Sequence, residues 1–371
     1  MNTRLLPLAA LVALGIAAAP AAAAPATPHF KMVRPLFRTV PHNAAWHRPG
    51  PPAAQLVQWN GSFTDQKGMN ITYTMVGTDP ATTNTKTTIP VVIVPLKLVF
   101  GKANGDMTFD PGKTRSANGK TVLKDLIASP LFKSNIRFVQ GGVDLGKTQY
   151  IDAYQRGNFW NANVKDNPNY HVLLGNPTVL PTQTLKVSPA AGLVMTNPFG
   201  TEPVGTYEVD LFDKQIVKII KANPDTITPD VFPLFVSSNV FLTEGFAVCC
   251  IGGYHSSIGS QPAGQTYGYA TYETEAGSFS QDVSAFSHEV GEWMDDPFVD
   301  NNVNCTDNTL MENGDPLENN ANYGDFAYNV GSRTYNLQSL VFIGYFGAPP
   351  STSVNNWLSF QNEQSTVCPG Q

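Results

Sequence analysis

The sequence predicts an α+β protein, a largely β framework with a few helices, one of which carries the chemistry. Three observations lead there. Strand-like runs dominate from Trp59 onward, beginning with NITYTMVG and TIPVVIVPLKLVF. Helical periodicity is confined to short stretches and is strongest between residues 283 and 296. No internal repeat is visible, which sets aside solenoids and propellers.

The chain opens MNTRLLPLAALVALGIAAAPAAAAPATPHF, with one arginine, an apolar run from Leu5 to Ala19 and an alanine-rich stretch offering several A-x-A sites. Residues 1–24 therefore read as a secretory signal peptide, too short and wrongly flanked for a membrane anchor, with cleavage expected near Ala23. No later segment reaches the roughly 18 uninterrupted apolar residues of a spanning helix. The expectation is a soluble monomer, secreted or periplasmic. Residues 25–56 are Pro-rich and aperiodic, and read as an extended arm, a linker or a propeptide. His29, His42 and His47 fall in this arm, where exposure is the default, although a propeptide could place one of them on a metal. Residues 57–371 then form one domain. Charged residues make up 14% of the chain and the net charge is −6. With no basic run or stripe, nucleic acid is excluded as a partner.

Within the domain, Pro95 marks TIPVVIVPLKLVF as an edge or bulged strand. Helices are expected over residues 122–129 and 211–222. The second has Phe212, Ile216, Ile219 and Ile220 as its apolar stripe, Asp210 as its cap and Asn223-Pro224 as its end. A buried strand VFPLFVSSNVFLT leads into CCIGGYHS, and the Tyr-rich strand TYGYATYET follows. His171 precedes an apolar strand and reads as structural.

Four cysteines, Cys249, Cys250, Cys305 and Cys368, suggest two disulfides in an exported chain. Adjacent cysteines rarely pair with each other. The expectation is therefore one bridge from the 249/250 pair to Cys305 and another to Cys368.

The most informative stretch is FSHEVGEWMDDP, residues 286–297. Val283, Phe286, Val290, Trp293 and Met294 form one stripe at the 3.6-residue period. Ser278 and Ser280 are candidate N-caps, Asp282 suits the positive end of the dipole, and Pro297 ends the helix. His288 and Glu292 then share the face opposite the stripe, with Glu289 on their flank. Gly291 costs about 1 kcal/mol against Ala in a helix interior, so another segment should approach closely there.

Two ligands at i and i+4 on a helix make a rigid pincer for zinc, and a carboxylate beside the first can serve as general base. His288 and Glu292 are the candidate pincer and Glu289 the base. The third ligand comes from LMENGDPLENN, with Asp315 preferred, Glu312 second and Glu318 third. His255, in GGYHS, is either a further ligand or a donor to an oxyanion, with Tyr254 as its neighbour.

HEVGE resembles the HExxH helix of zincin metallopeptidases, with Glu in place of the second His. More closely, SHEVGEWMDDP, preceded by CCIGGYHS and followed by GDPLEN, resembles a group of exported bacterial proteins built around a SHExxE…DP helix. The likeness extends to WNGSF, IPVVIVPLKLVF, TQYIDAYQRGNFW and YNLQSLVFIGYF. It implies a zincin-like fold and a secreted zinc metallopeptidase acting on peptide or protein substrates. Carboxylate is a harder ligand than imidazole, so Glu292 is the departure that bears on the metal's identity.

Two other readings stand beside it. The run DDPFVDNNVNCTDNTLMENGDPLEN could hold calcium in a non-catalytic binding or adhesion protein. An EF-hand register from Asp300 fails, because Cys305 takes the Gly position and Met311 the Glu position. A glycoside hydrolase would use Glu289 and Glu292 as paired carboxylates, but two residues three apart on one helix do not easily flank a glycosidic bond.

Overall fold

The computed structural model describes residues 30–37 and 54–371. The expected signal peptide with its expected cleavage near Ala23, the histidines 29, 42 and 47, and most of the Pro-rich arm lie outside the described residues. The molecule is α+β and strand-rich. Its main sheet runs in the spatial order Thr178–Val179, Val91–Phe100, Phe232–Ser238, Gln265–Tyr272, Val248–Ile258, Val240–Glu244, Pro203–Glu208 and Val194–Thr196. The second to fourth of these strands are parallel, and Val248–Ile258 runs antiparallel to Gln265–Tyr272. Met32–Phe37 also joins the sheet, parallel to Val248–Ile258.

Among the described residues the α-helices are α1 (Val122–Ile127), α2 (Tyr150–Asn158), α3 (Val209–Ala222) and α4 (Ser284–Asp295). The strand period of two sends alternate side chains to opposite faces of the sheet, and each face finds a helix. Val92, Val94, Phe235 and Tyr269 pack with Phe212, Ile216 and Ile220 of α3. Val91, Ile93, Leu234 and Val236 belong to the core that contains Phe286, Val290, Trp293 and Met294 of α4. Trp293 stacks on Phe232 with centroids 3.8 Å apart, and its Nε1–H donates to Thr266 Oγ1 at 2.9 Å. This pair fixes α4 over the centre of the sheet.

Pro95 does not make its strand an edge, since Val91–Phe100 has neighbours on both sides. Its missing N–H is tolerated because it sits at a changeover. Pairing with Thr178–Val179 stops at Ile93 and pairing with Gln183–Val187 starts at Leu96. The run VFPLFVSSNVFLT is two strands rather than one, broken at Asn239, where φ is 54°. Helix α3 begins earlier than expected and is capped by Glu208, whose carboxylate accepts from Leu211 N at 2.9 Å, rather than by Asp210. Helix α1 ends at Ile127, short of residue 129. His171 opens the strand His171–Leu174, its Nδ1 2.7 Å from Asp152 Oδ2.

Helix α4 also starts later than its candidate caps. Ser278 and Ser280 donate to Glu273 instead, and the Asp282 carboxylate accepts from Asn336. All of α4 is buried, including the face opposite its apolar stripe. That face is roofed by later segments: a Cβ on Gly291 would collide with Leu340, and one on Gly314 with the His288 ring.

The disulfide expectation is corrected. Cys305 pairs with Cys368, Cα atoms 5.6 Å apart, and Cys249 pairs with Cys250 across a cis peptide bond. The partners follow from which segments the fold brings side by side. Thr306 N donates to Pro369 O at 2.8 Å and Cys368 N to Tyr345 O at 2.9 Å, which lays the C-terminal segment along the loop holding Cys305. Cys249 and Cys250 lie inside a buried strand of the sheet. Replacing both Cys305 and Cys368 by serine is expected to cost about 4 kcal/mol, the loop-closure value for a sequence separation of 63. The readout is the denaturant midpoint under two-state conditions, and an unchanged midpoint would show that the backbone contacts alone hold these segments.

Candidate metal centre

The site lies between the sheet and α4. Tyr254 belongs to the core on the α3 side, where its hydroxyl donates to Asp213 at 2.9 Å. Alternation therefore turns His255, the next residue, toward α4. His288, Glu289 and Glu292 come from α4 itself. Glu312 and Asp315 come from the turn-rich stretch after the helix, with Asp315 opening a short 3₁₀ turn. His255, His288, Glu289, Glu292 and Glu312 are all buried, whereas the Asp315 side chain is 33% exposed and marks the open side.

Each imidazole has its tautomer set by its outer partner. Gln338 donates its Nε2 to the carbonyls of Tyr323 (3.0 Å) and Gly314 (3.4 Å), which turns its Oε1 to accept from His288 Nδ1. The Nε2 lone pair of His288 then faces Glu292 Oε1 at 2.9 Å and Asp315 Oδ1 at 3.5 Å. The Asp296 carbonyl, 3.0 Å away, accepts from His255 Nε2. The His255 Nδ1 lone pair faces Glu289 Oε2 at 3.6 Å and Glu292 Oε2 at 3.7 Å, with no hydrogen-bond partner among the described residues. With its N–H engaged by Asp296, His255 turns a lone pair rather than a donor toward these carboxylates.

Burial makes this concentration of acid groups costly to ionise. Burial first, then the charges of Glu292 and Glu312, hold the Glu289 carboxyl well above the usual range. Glu292 is raised in the same direction by burial and then by Asp315, against the backbone N–H of Gly314, which donates to its Oε1 at 3.0 Å. Glu312 is raised by burial and by Glu292. Burial pushes His255 down to about 3, which keeps its imidazole neutral and its lone pair available. A neutral nitrogen donor facing carboxylates in a buried space can serve as part of a ligand set for a cation.

The side chains fall into three groups able to hold a metal ion: His288 with Glu289 and Glu292, His288 with Asp315 and Glu318, and His255 with Glu292 and Glu312. The three candidates for the third ligand thus all reach the site, divided between the two histidines. The rest of the acidic run is engaged elsewhere. Asp295 accepts from Tyr154, Gln155 and Asn313, and Asp296 accepts from the backbone N–H of Asp300 and Asn301. Glu289 and Glu292 approach the same nitrogen of His255, at 3.6 and 3.7 Å.

Gln338 has no signature in the sequence, since nothing about an isolated Gln fifty positions past His288 signals contact. The close approach at Gly314 had a signal in NGDP, where a glycine in a ligand-bearing turn suggests tight packing. Compared with known proteins, the chain matches no family model, no curated protein and no solved structure.

Proposed function

We propose that the protein is an exported zinc metallohydrolase with a zincin-like fold, acting on peptide bonds. The observation that carries this reading is Glu289, a buried carboxyl group with neither oxygen hydrogen-bonded among the described residues, set against a histidine and carboxylate cluster. A carboxylate with a structural role would accept hydrogen bonds, as Asp295 and Asp296 do. The donor set fits a metal. His288 Nε2 and Asp315 Oδ1 are 3.5 Å apart, close to the separation of about 3.4 Å between two ligands that share a tetrahedral ion. Peptide bonds are favoured as substrate by the likeness of HEVGE to the zincin helix.

In this scheme His288 with Glu292, or with Asp315 and Glu318, would hold the zinc, which would supply Lewis acidity to a carbonyl and to water at the site. Glu289 takes the proton of the attacking water and returns it to the leaving nitrogen. Gln338 keeps His288 in the tautomer that presents Nε2. A substrate would approach from the side of Asp315, the half-buried member of the set.

The test is elemental analysis of the purified protein beside His288→Ala, together with digestion of a peptide library with and without chelator. The expected result is a divalent metal in the wild type, lost in the variant, and hydrolysis that follows the metal. Hydrolysis indifferent to chelator, or no metal, would defeat the reading. The excess of carboxylate donors supports a second reading, a non-catalytic binding protein with structural calcium. Calcium alone, with no hydrolysis, would put that reading first.

A further inference from the structure

We propose that the site holds two divalent cations rather than one, bridged by the carboxylate of Glu292. The inference rests on the metal-binding part of the reading above and on none of its substrate chemistry. His288 and His255 never fall in the same ligand group, and Glu292 is the residue common to a group of each. Its two oxygens divide between them: Oε1 lies 2.9 Å from His288 Nε2, and Oε2 lies 3.7 Å from His255 Nδ1. One centre is His288, Asp315 and Glu318, with Glu292 Oε1 reaching in beside His288; the other is His255, Glu292 Oε2 and Glu312, whose Oε2 lies 3.9 Å from the His255 Nε2.

His255 is the independent observation for the second centre. It is 1% exposed, and its Nδ1 has no hydrogen-bond partner among the described residues. The opposite tautomer does not repair this. It would set the Nε2 lone pair against the Asp296 carbonyl at 3.0 Å and aim an Nδ1–H at carboxylates 3.6 and 3.7 Å away, beyond hydrogen-bond reach. In the tautomer the Asp296 carbonyl selects, a lone pair faces carboxylate oxygens. That arrangement is unfavourable unless a cation lies between them, and the separation suits two ligands each about 2.1 Å from a shared ion.

Charge points the same way. The clustered carboxyl groups are Glu289, Glu292, Glu312, Asp315 and Glu318, beside two imidazoles. A single divalent cation leaves three negative charges in a mostly buried space, whereas two leave one. A carboxylate binding through both oxygens spans the roughly 3.5–4 Å between metals in two-metal hydrolase sites. Glu289 is needed by neither centre and keeps its place beside both.

The experiment strips the full mature protein with chelator and titrates Mn²⁺ back, counting bound ions by native mass spectrometry and recording the electron paramagnetic resonance spectrum at each step. Two ions per chain are expected, with an exchange-coupled spectrum appearing at the second equivalent. Glu312→Gln, which preserves shape, should bind one ion with an uncoupled spectrum, and Glu289→Gln should still bind two. Saturation of the wild type at one uncoupled ion that His288→Ala removes would overturn the second centre and leave the single-metal reading standing. No Mn²⁺ bound by the wild type would overturn both. Should Glu312→Gln fail to fold, the wild-type count and spectrum decide alone.

Discussion

Glu289→Gln is expected to lower peptide hydrolysis by about 10²- to 10⁴-fold, the range for loss of a general base, while the protein keeps its metal and its fold. The substitution is nearly isosteric, and space requires that: the Glu289 side chain packs so closely on Gly253 that a Cβ there would meet its Oε1 at 2.6 Å. Neither Glu289 oxygen accepts a hydrogen bond among the described residues, so an amide breaks no protein contact. The change also removes one of several acid groups from a buried site, where burial and neighbouring charge already disfavour ionisation. The variant should therefore be at least as stable as the wild type, and lost activity cannot be assigned to unfolding. Turnover measured beside metal content and thermal midpoint checks all three expectations. Undiminished turnover would remove Glu289 from the chemistry, and loss of metal would recast it as a ligand.

What the sequence made legible was local. The stripe of α4 from Val283 to Met294 follows from a period that any helix imposes, and Gly291 announced the approach that Leu340 makes. The stripe of α3 was equally plain, although its cap was displaced from Asp210 to Glu208 because the helix begins two residues earlier. The features that escaped notice depend on segments far apart in the chain. Nothing near His288 indicates that Gln338 orients it, nor does anything near His255 point to the carbonyl of Asp296. The Cys305–Cys368 pairing escaped for the same reason, since it depends on where the C-terminal segment is laid, whereas Cys249–Cys250 was passed over because adjacent cysteines rarely pair. An amphipathic pattern likewise says which face of a helix is apolar, and it cannot tell water from a buried polar site on the other side. Here the opposite face of α4 meets the 311–318 stretch, which turns a candidate surface pair into a buried cluster.

The acid groups make metal and pH interdependent. Burial raises Glu273, Asp282, Asp295 and Asp296 to about 7 each, and it holds Glu289, Glu292, Glu312 and Asp325 well above the usual range. In the metal-free protein these groups bind protons in the folded state that the unfolded chain has already released above about pH 4. The slope of unfolding free energy with pH takes the sign of protons bound unfolded minus protons bound folded, and is therefore negative. Their contribution is complete below the unfolded values and is lost as pH climbs through 7. Between pH 5 and 8 each of the four groups raised to about 7 accounts for on the order of 2 kcal/mol, so the chelated protein should lose several kcal/mol, a fall in thermal midpoint on the order of 10 °C. Metal acts in the opposite sense, because its ligands must be deprotonated and protons compete with it. Saturating metal should raise the midpoint little at pH 5 and strongly at pH 8, so that the gap between loaded and chelated protein widens with pH. Thermal scans at the two pH values, with chelator and with metal, measure that gap directly. A gap that stays constant or narrows as pH rises would mean that the buried carboxyls of α4 and the 311–318 stretch are not what the metal touches.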